Sequence, residues 1–418
     1  MGSVYIGGKT PLYGEVTIQG SKNSALPIMA AALLIPGESI LKNCPRIADV
    51  EYMSHILRHI GCRVCRKGRD LLIDATVLSG GSLPAEYVTR MRSSVMLLGP
   101  LLGRIGEADL SYPGGCVIGD RPIDLHLKAL RRLGMTCEDH DTHLRAWSCG
   151  LHGTSVTLEF PSVGATENVI MAAVAAEGVT CLENAAAEPE IGWLCAFLQS
   201  AGADIRIQRN RILISGGRPL HPCTFRIPSD RIVAGTYLCA GLAAGGEIFL
   251  AGAPDDENRA LEEIAERMGA ILRRTPEGLH VQRSGPLYSP GTVTTGSYPA
   301  FPTDLQSPLL VAMLAAEGES MLRETIFNGR FRVVEELNRM GAGICVEKDT
   351  AYVSGRRQLM GACVCARELR GGAALVLAGL CAEGRTLVKN RCYIDRGYED
   401  ICRDLRMLGA DCRDGGGA

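Results

Sequence analysis

The sequence predicts an α/β protein of two domains, each built from three copies of one helix-and-strand unit. Three observations carry this: glycines that end helix-like stretches recur every roughly 67–73 residues, a second glycine series keeps phase with the first, and the apolar spacing before them is helical. The first series is Gly61, Gly134, Gly202, Gly269, Gly341 and Gly409. Each follows a stretch such as Leu-Arg-His-Ile or Leu-Asn-Arg-Met, and glycine there supplies the left-handed cap that stops a helix. The second series, Gly37, Gly106, Gly178, Gly246, Gly318 and Gly384, lies roughly 25 residues earlier in each copy. Before each is an Ala- or Leu-rich run, such as residues 172–176. After each is a strand-like segment, such as residues 320–323. Residues 203–207, Ala-Asp-Ile-Arg-Ile, alternate as a half-buried strand does.

Six copies divide into two sets of three. The seam is expected at Pro228-Ser229-Asp230-Arg231, which has turn chemistry. The domains are then residues 21–229, and residues 1–20 with 230–418. The N-terminal strand before Gly20 is expected to pair with the sixth copy, so that the chain crosses twice between domains. In the second helix of each copy the first apolar slot holds Met53, Leu194, Leu261, Val333 and Ile401, but His126 in the second copy. Either this is tolerated variation near a helix start, or that helix end faces a ligand.

Composition sets the class. Hydrophobic residues are 46% and charged residues 22% of 418, an ordinary globular balance. A net charge of −2 gives no global basic field, which argues against a nucleic-acid partner. No apolar run is long enough for a membrane span, and the start shows no secretory pattern, so the expected address is the cytoplasm. Seventeen cysteines, an odd and scattered set, read as reduced thiols filling cores. The pairs Cys62/Cys65 and Cys363/Cys365 would need further ligands to hold zinc, and packing is the expected role. A monomer or weak homo-oligomer is expected.

Four features carry chemistry. The loop from Pro113 to Pro122 holds three glycines, two prolines and Cys116. It reads as a mobile lid whose thiol is supported by Arg121, or as a surface turn with a free cysteine. Ser21 can cap the first Ala-rich helix, and the amides behind it with Lys22 suit a phosphate or carboxylate; a solvated lysine is the bland alternative. Arg90, Arg92, Arg330, Arg370 and Arg396 stand beside turns or glycines, and arginine suits bidentate recognition of carboxylate and phosphate. Asp304 follows two prolines and precedes a helix, as either an N-cap or a general base.

Taken together, Gly20–Asn23, residues 113–122, residues 161–168 (Pro-Ser-Val-Gly-Ala-Thr-Glu-Asn), residues 188–191 (Glu-Pro-Glu-Ile), residues 301–304 (Phe-Pro-Thr-Asp) and residues 394–399 (Ile-Asp-Arg-Gly-Tyr-Glu) resemble the UDP-N-acetylglucosamine 1-carboxyvinyltransferase family of enolpyruvyl transferases. The resemblance runs through essentially the whole chain. The Gly-Gly-Cys lid separates it from the shikimate-pathway relatives of the same fold.

The resemblance implies two inside-out α/β barrel-like domains, each of three repeated βαβαββ-type units. It implies transfer of the enolpyruvyl group of phosphoenolpyruvate to the 3-hydroxyl of UDP-N-acetylglucosamine, with release of phosphate and without a metal or organic cofactor. By the same resemblance Cys116 is the acid and adduct-forming thiol, and Asp304 the base. Lys22, Arg121 and Arg396 hold the phosphate, Arg330 and Arg370 the carboxylate, and Asn23 orients the substrate. Arg92, Arg121, Pro122, Ile123, Asp124, Leu125, Ser162, Val163, Asp304 and Ile326 line the nucleotide-sugar site, near His126. Domain closure is expected to bring Lys22, Arg92 and Cys116 against Asp304, Arg330, Arg370 and Arg396. The chain departs from the family in places. The family usually has Phe-Glu-Asn-Arg-Phe where this chain has residues 327–331 (Phe-Asn-Gly-Arg-Phe), Asp at the position of Glu368 and Glu at that of Val233. The arginines are kept while their neighbours change.

Overall fold

The structure is a computed structural model that describes residues 2–114, 123–140 and 142–415. They form two compact units. One holds the N-terminal residues up to Gln19 and the chain from Ser229 onward; the other runs from Gly20 to Pro228. Both glycine series take positive φ, between 79° and 116°. At these positions an L side chain would meet its own backbone, so glycine fixes where each helix stops or each strand begins.

Each unit carries three helices buried at its centre, with sheets and further helices around them. In the C-terminal unit, helices Arg231–Ala244, Gln306–Ala315 and Leu369–Cys381 pack against one another. Nearly all their residues are buried on every side, and a helix apolar all round belongs at a centre rather than on a surface. The helices Lys22–Ala31, Leu98–Ile105 and Val163–Ala175 play the same part in the other unit. Small residues let their axes approach: a Cβ on Gly99 would stand 2.5 Å from the Asn168 carbonyl oxygen. The outer helices, such as Arg259–Arg267, bury one stripe only.

The sheets repeat one pattern. Ser155–Thr157 runs parallel to Val179–Glu183, which pairs antiparallel with Arg211–Ser215, and that with Asp204–Gln208. Among the described residues five sheets have these four strands and a sixth has three, with Ser82 bridging to Asp109 on its edge. The chain before Gly20 is two strands rather than one. Ser3–Gly7 lies between Arg385–Lys389 and Cys412–Gly415 in the sixth copy, as expected. Leu12–Thr17 instead pairs parallel with Gly246–Ala251 of the fourth copy. The unit is thus closed at two sheets by one N-terminal segment. In the other unit Thr224–Arg226 returns to pair parallel with Glu38–Lys42 of the first copy.

The thiols divide by burial. Burial pushes Cys62 and Cys195 up to about 12, and raises Cys239 further. Cys65, Cys149, Cys345, Cys363 and Cys392 are exposed. The thiolate is the reactive form. Iodoacetamide at pH 7.5 is therefore expected to label the exposed five within the folded protein. Cys62, Cys195 and Cys239 are expected to react only after denaturation, as read by peptide mass mapping.

Candidate active site

The chemistry-bearing residues gather at the N-terminal ends of the central helices, where unpaired amides and the helix dipole favour negative charge. In the C-terminal unit the centre is Asp304, on the short turn Thr303–Leu305 that leads into Gln306–Ala315. Its backbone speaks against the N-cap reading left open by the sequence. The cap position falls on Pro302, and no side-chain capping bond forms there. The carboxylate points to arginine instead. Arg330 Nη2 donates to Asp304 Oδ1, and Arg370 donates to Oδ2 from Nε at 3.3 Å and Nη2 at 3.0 Å.

Both guanidiniums are almost out of water, with side-chain exposures of 4% and 3%, while Asp304 keeps 25%. Burial is the largest single influence on Arg370 and opposes its charge, but Asp304, Tyr398 and Asp230 together outweigh it and raise the pKa. The arginines are held from behind. Arg370 lies 5.9 Å over the ring of Tyr398, whose hydroxyl is 2.8 Å from Thr236 Oγ1 on the neighbouring central helix. Arg330 Nε donates to Thr303 Oγ1 at 3.3 Å, and its guanidinium lies 5.4 Å from the Phe327 ring centroid.

The departures from the family now have positions. Glu368 caps the helix Leu369–Cys381, accepting from the amides of Arg370 at 2.8 Å and of Gly371. The same carboxylate reaches within 3.6 Å of Arg330 Nη1. The longer glutamate thus both starts the helix and faces the second arginine. Val233 sits fully buried in its helix, behind the Asp230 cap. Asn328 and Gly329 form the turn before Arg330, which opens the short helix Arg330–Arg332.

One contributor was not read from the sequence. Glu324, 4% exposed, accepts from Thr295 Oγ1 at 3.0 Å, Thr303 Oγ1 at 2.8 Å and the amides of Ile326 and Phe327 at 2.8 and 3.1 Å. It therefore ties the turn before Asp304 to the loop that carries Arg330 and Ile326. Its only sequence signal is a charge at the end of a strand, which is too common to single out. Arg396 is buried at the end of the turn Arg391–Arg396. That turn packs on the start of Leu369–Cys381, where a Cβ on Gly372 would stand 2.8 Å from Ile394.

In the other unit Ser21 caps Lys22–Ala31 as expected, accepting from the Ser24 amide at 3.2 Å. Lys22 Nζ is 2.7 Å from the buried Asp49 carboxylate, and Asn23 follows it in the first turn. Arg92 opens the short helix Arg92–Leu97 that runs into Leu98–Ile105.

Two helix starts meet beside them. Ile123, Asp124 and Leu125 begin Asp124–Arg132, and Ser162 caps Val163–Ala175. Lys128 joins them by its ion pairs with Asp124 at 3.6 Å and Glu159 at 3.1 Å. His126 is buried against Gly164, where a Cβ would come within 2.9 Å of its ring. Asn168 settles the ring's protonation. Its Oδ1 accepts from the Gly99 amide and its Nδ2 donates to the Val95 carbonyl, both at 2.9 Å. The remaining Nδ2 proton points to His126 Nδ1 at 2.8 Å, so the neutral ring carries its proton on Nε2.

The expected residues thus form two groups: Asp304, Ile326, Arg330, Arg370 and Arg396 in one unit, and Lys22, Asn23, Arg92, Ile123, Asp124, Leu125, Ser162 and Val163 in the other. Cys116, Arg121 and Pro122 lie outside the described residues. Among the described residues one group of three metal-ligating side chains converges, Asp400, Cys402 and Asp414. Arg391 already lies between its two carboxylates, 3.6 Å from Asp400 and closer to Asp414. No described helix is long and apolar enough to cross a membrane.

Comparison with known proteins gives a consistent picture. The family described as EPSP synthase (3-phosphoshikimate 1-carboxyvinyltransferase) matches residues 6–405. A UDP-N-acetylglucosamine 1-carboxyvinyltransferase 2 of Caldanaerobacter subterraneus subsp. tengcongensis is 44% identical, over 98% of this chain and 99% of its own. A UDP-N-acetylglucosamine 1-carboxyvinyltransferase 1 of Symbiobacterium thermophilum is 45% identical, over 97% and 93%. Among solved structures, the enolpyruvyl transferase NikO from Streptomyces tendae superposes with a TM-score of 0.90 at 26% identity, covering 99% of this chain and 98% of that one. An EPSP synthase from Acinetobacter baumannii gives 0.78 at 18% identity over the full length of both, a likeness of fold alone.

Proposed function

This chain belongs to the EPSP synthase family, and from that premise we propose how its residues divide the work of moving a carboxyvinyl group onto UDP-N-acetylglucosamine. The protein transfers the enolpyruvyl group of phosphoenolpyruvate to the sugar 3-hydroxyl and releases phosphate, a step of peptidoglycan precursor synthesis. The single observation that carries the reading is the Asp304 carboxylate held by two buried arginines at the start of a central helix.

The reaction is an addition followed by an elimination. A proton goes to the methylene carbon of phosphoenolpyruvate, which makes the adjacent carbon electrophilic. The sugar oxygen bonds to that carbon and loses its own proton. The resulting tetrahedral adduct then expels phosphate and sheds a methyl proton, which restores the double bond. Cys116 supplies the first proton, and Asp304 accepts that of the sugar hydroxyl. Arg330 and Arg370 bind the carboxylate of phosphoenolpyruvate; Lys22, Arg121 and Arg396 bind its phosphate.

The arginine pair makes these roles depend on one another. Asp304 and the substrate carboxylate compete for the same guanidinium donors. As the substrate takes them, oxygens of Asp304 become available to the incoming hydroxyl. Such fixed cationic groups stabilise charge that develops during reaction more than water does. In the other unit Arg92, Ile123, Asp124, Leu125, Ser162 and Val163 bind the nucleotide sugar, while Asn23 helps bind and orient phosphoenolpyruvate. Among the described residues no cysteine is in a disulfide, which supports a reducing compartment, the cytoplasm.

Phosphate release tests the reading. With phosphoenolpyruvate, the protein is expected to release phosphate when UDP-N-acetylglucosamine is added, and not when shikimate 3-phosphate is added. The reverse preference would overturn the acceptor assignment. Fosfomycin, an epoxide analogue of phosphoenolpyruvate, is expected to add once to the wild-type protein, at Cys116, and not to Cys116→Asp. Intact mass reads the result, and an unmodified wild-type protein would remove Cys116 from its role.

A further inference from the structure

The central helices of the C-terminal unit have a second working end. Asp304 and Arg370 stand at their N-termini. Their C-termini, about 20 Å away for helices of this length, open into a cavity of about 490 Å³ within the same unit. Ala243 and Ala244, Leu314 and Ala315, and Leu380 and Cys381 bring one helix end each to its wall. The volume lies within the range of small-molecule sites.

The lining has one sign of charge. It includes Lys9, Arg283, Arg356 and Arg357 and no carboxylate. Three of the four cations are engaged. Arg283 Nη1 donates to the carbonyls of Leu242 at 2.6 Å and Ala243 at 2.9 Å, and so covers one helix C-terminus. Lys9 pairs with Glu383 at 3.2 Å, and Arg356 with Glu317, both acids outside the lining. Arg357 is exposed and, among the described residues, has no carboxylate within ion-pair distance. Gln358, whose side-chain amide donates to Glu383, is the other polar residue of the lining; the remaining wall is apolar, with Val311, Leu314, Leu359 and Leu380 prominent.

We propose that this cavity binds a small amphiphilic carboxylate, its apolar body on the helix ends and its charge at Arg357. The polarity of the helices fixes that orientation. Carbonyl ends repel an anion, so the carboxylate stays at the arginine rim while the apolar part covers the helix ends, where Arg283 and the Lys9 amide already take some of the carbonyls. An apolar cation would meet the four lining cations and gain nothing at the rim. The site lies apart from the arginines of Asp304, so occupancy does not require the phosphoenolpyruvate-binding residues.

Octanoate is the probe, with octylammonium as its charge-reversed control. Titrations of the full chain, carrying labelled Leu and Val methyl groups, are followed by methyl NMR and calorimetry. Octanoate is expected to bind saturably at one site and to shift the methyls of Val311, Leu314, Leu359 and Leu380. Arg357→Glu is expected to weaken octanoate at least about tenfold while its rate of carboxyvinyl transfer stays at the wild-type value. Octylammonium is expected to leave the methyls unmoved. The proposal is overturned if octanoate shifts other methyls only, if Arg357→Glu leaves its affinity unchanged, or if octylammonium binds as well.

Discussion

Asp304→Asn is expected to lower phosphate release by about 10²–10⁴-fold, the range for losing a positioned acid or base, and to lower the melting temperature as well. The two effects share one cause. The carboxylate is the group that Arg330 and Arg370 both address, and each guanidinium has 4% exposure or less. Asparagine keeps the shape but not the charge. Breaking a buried pair by removing one partner costs about 3–5 kcal/mol, because the remaining charge is left without compensation. Here two cations face the loss, with the Glu368 carboxylate 3.6 Å from one of them. Phosphoenolpyruvate should therefore raise the melting temperature of the variant more than that of the wild type, since its carboxylate replaces the missing counter-ion. Thermal unfolding with and without phosphoenolpyruvate reads this directly. A variant that turns over near the wild-type rate would reduce Asp304 to a counter-ion. A variant that loses activity without a larger ligand-induced shift would detach the base from the arginine pair.

The fold was legible because its punctuation is local. A glycine that must take positive φ at the end of a helix marks its place whatever surrounds it, so twelve such glycines exposed six copies. What each copy pairs with is not local. Leu12–Thr17 joins the fourth copy across more than two hundred residues, and one strand-like segment gives no sign of which sheet edge will take it. The site divides in the same way. Ser21 as a cap depends on three neighbouring residues, and it forms. Asp304 had the same local signature, yet its carboxylate is taken by Arg330 and Arg370, 26 and 66 residues away. Glu368 was noticed only as a departure from the family. Its double duty, capping one helix and facing Arg330, needed the geometry. Glu324 gave no signal, because its work is to accept hydrogen bonds from groups that the fold alone assembles.

Glu167→Gln is expected to flatten the dependence of stability on pH, and its sign follows from where the proton sits. Glu167 lies in the helix Val163–Ala175, 1% exposed, and neither carboxylate oxygen has a hydrogen-bond partner. Burial, then the charges of Glu190 and Glu188, push its pKa well above the ordinary 4.5. Below that value the folded and unfolded chains both hold the proton, and this residue's stability is fully present. Between that value and the folded pKa, the unfolded chain releases the proton while the folded chain keeps it. Stability then falls by about 1.4 kcal/mol per pH unit, until the folded group also ionises. Glutamine cannot ionise, and its amide hydrogens can approach the carboxylates of Glu188 and Glu190. Urea midpoints at pH 5, 6, 7 and 8 should therefore diverge, with the variant gaining on the wild type as pH rises until the folded Glu167 also ionises. Other groups titrate in both proteins, so the difference between the two curves isolates Glu167. Parallel curves would mean that Glu167 is ionised in the folded protein and that its burial is compensated.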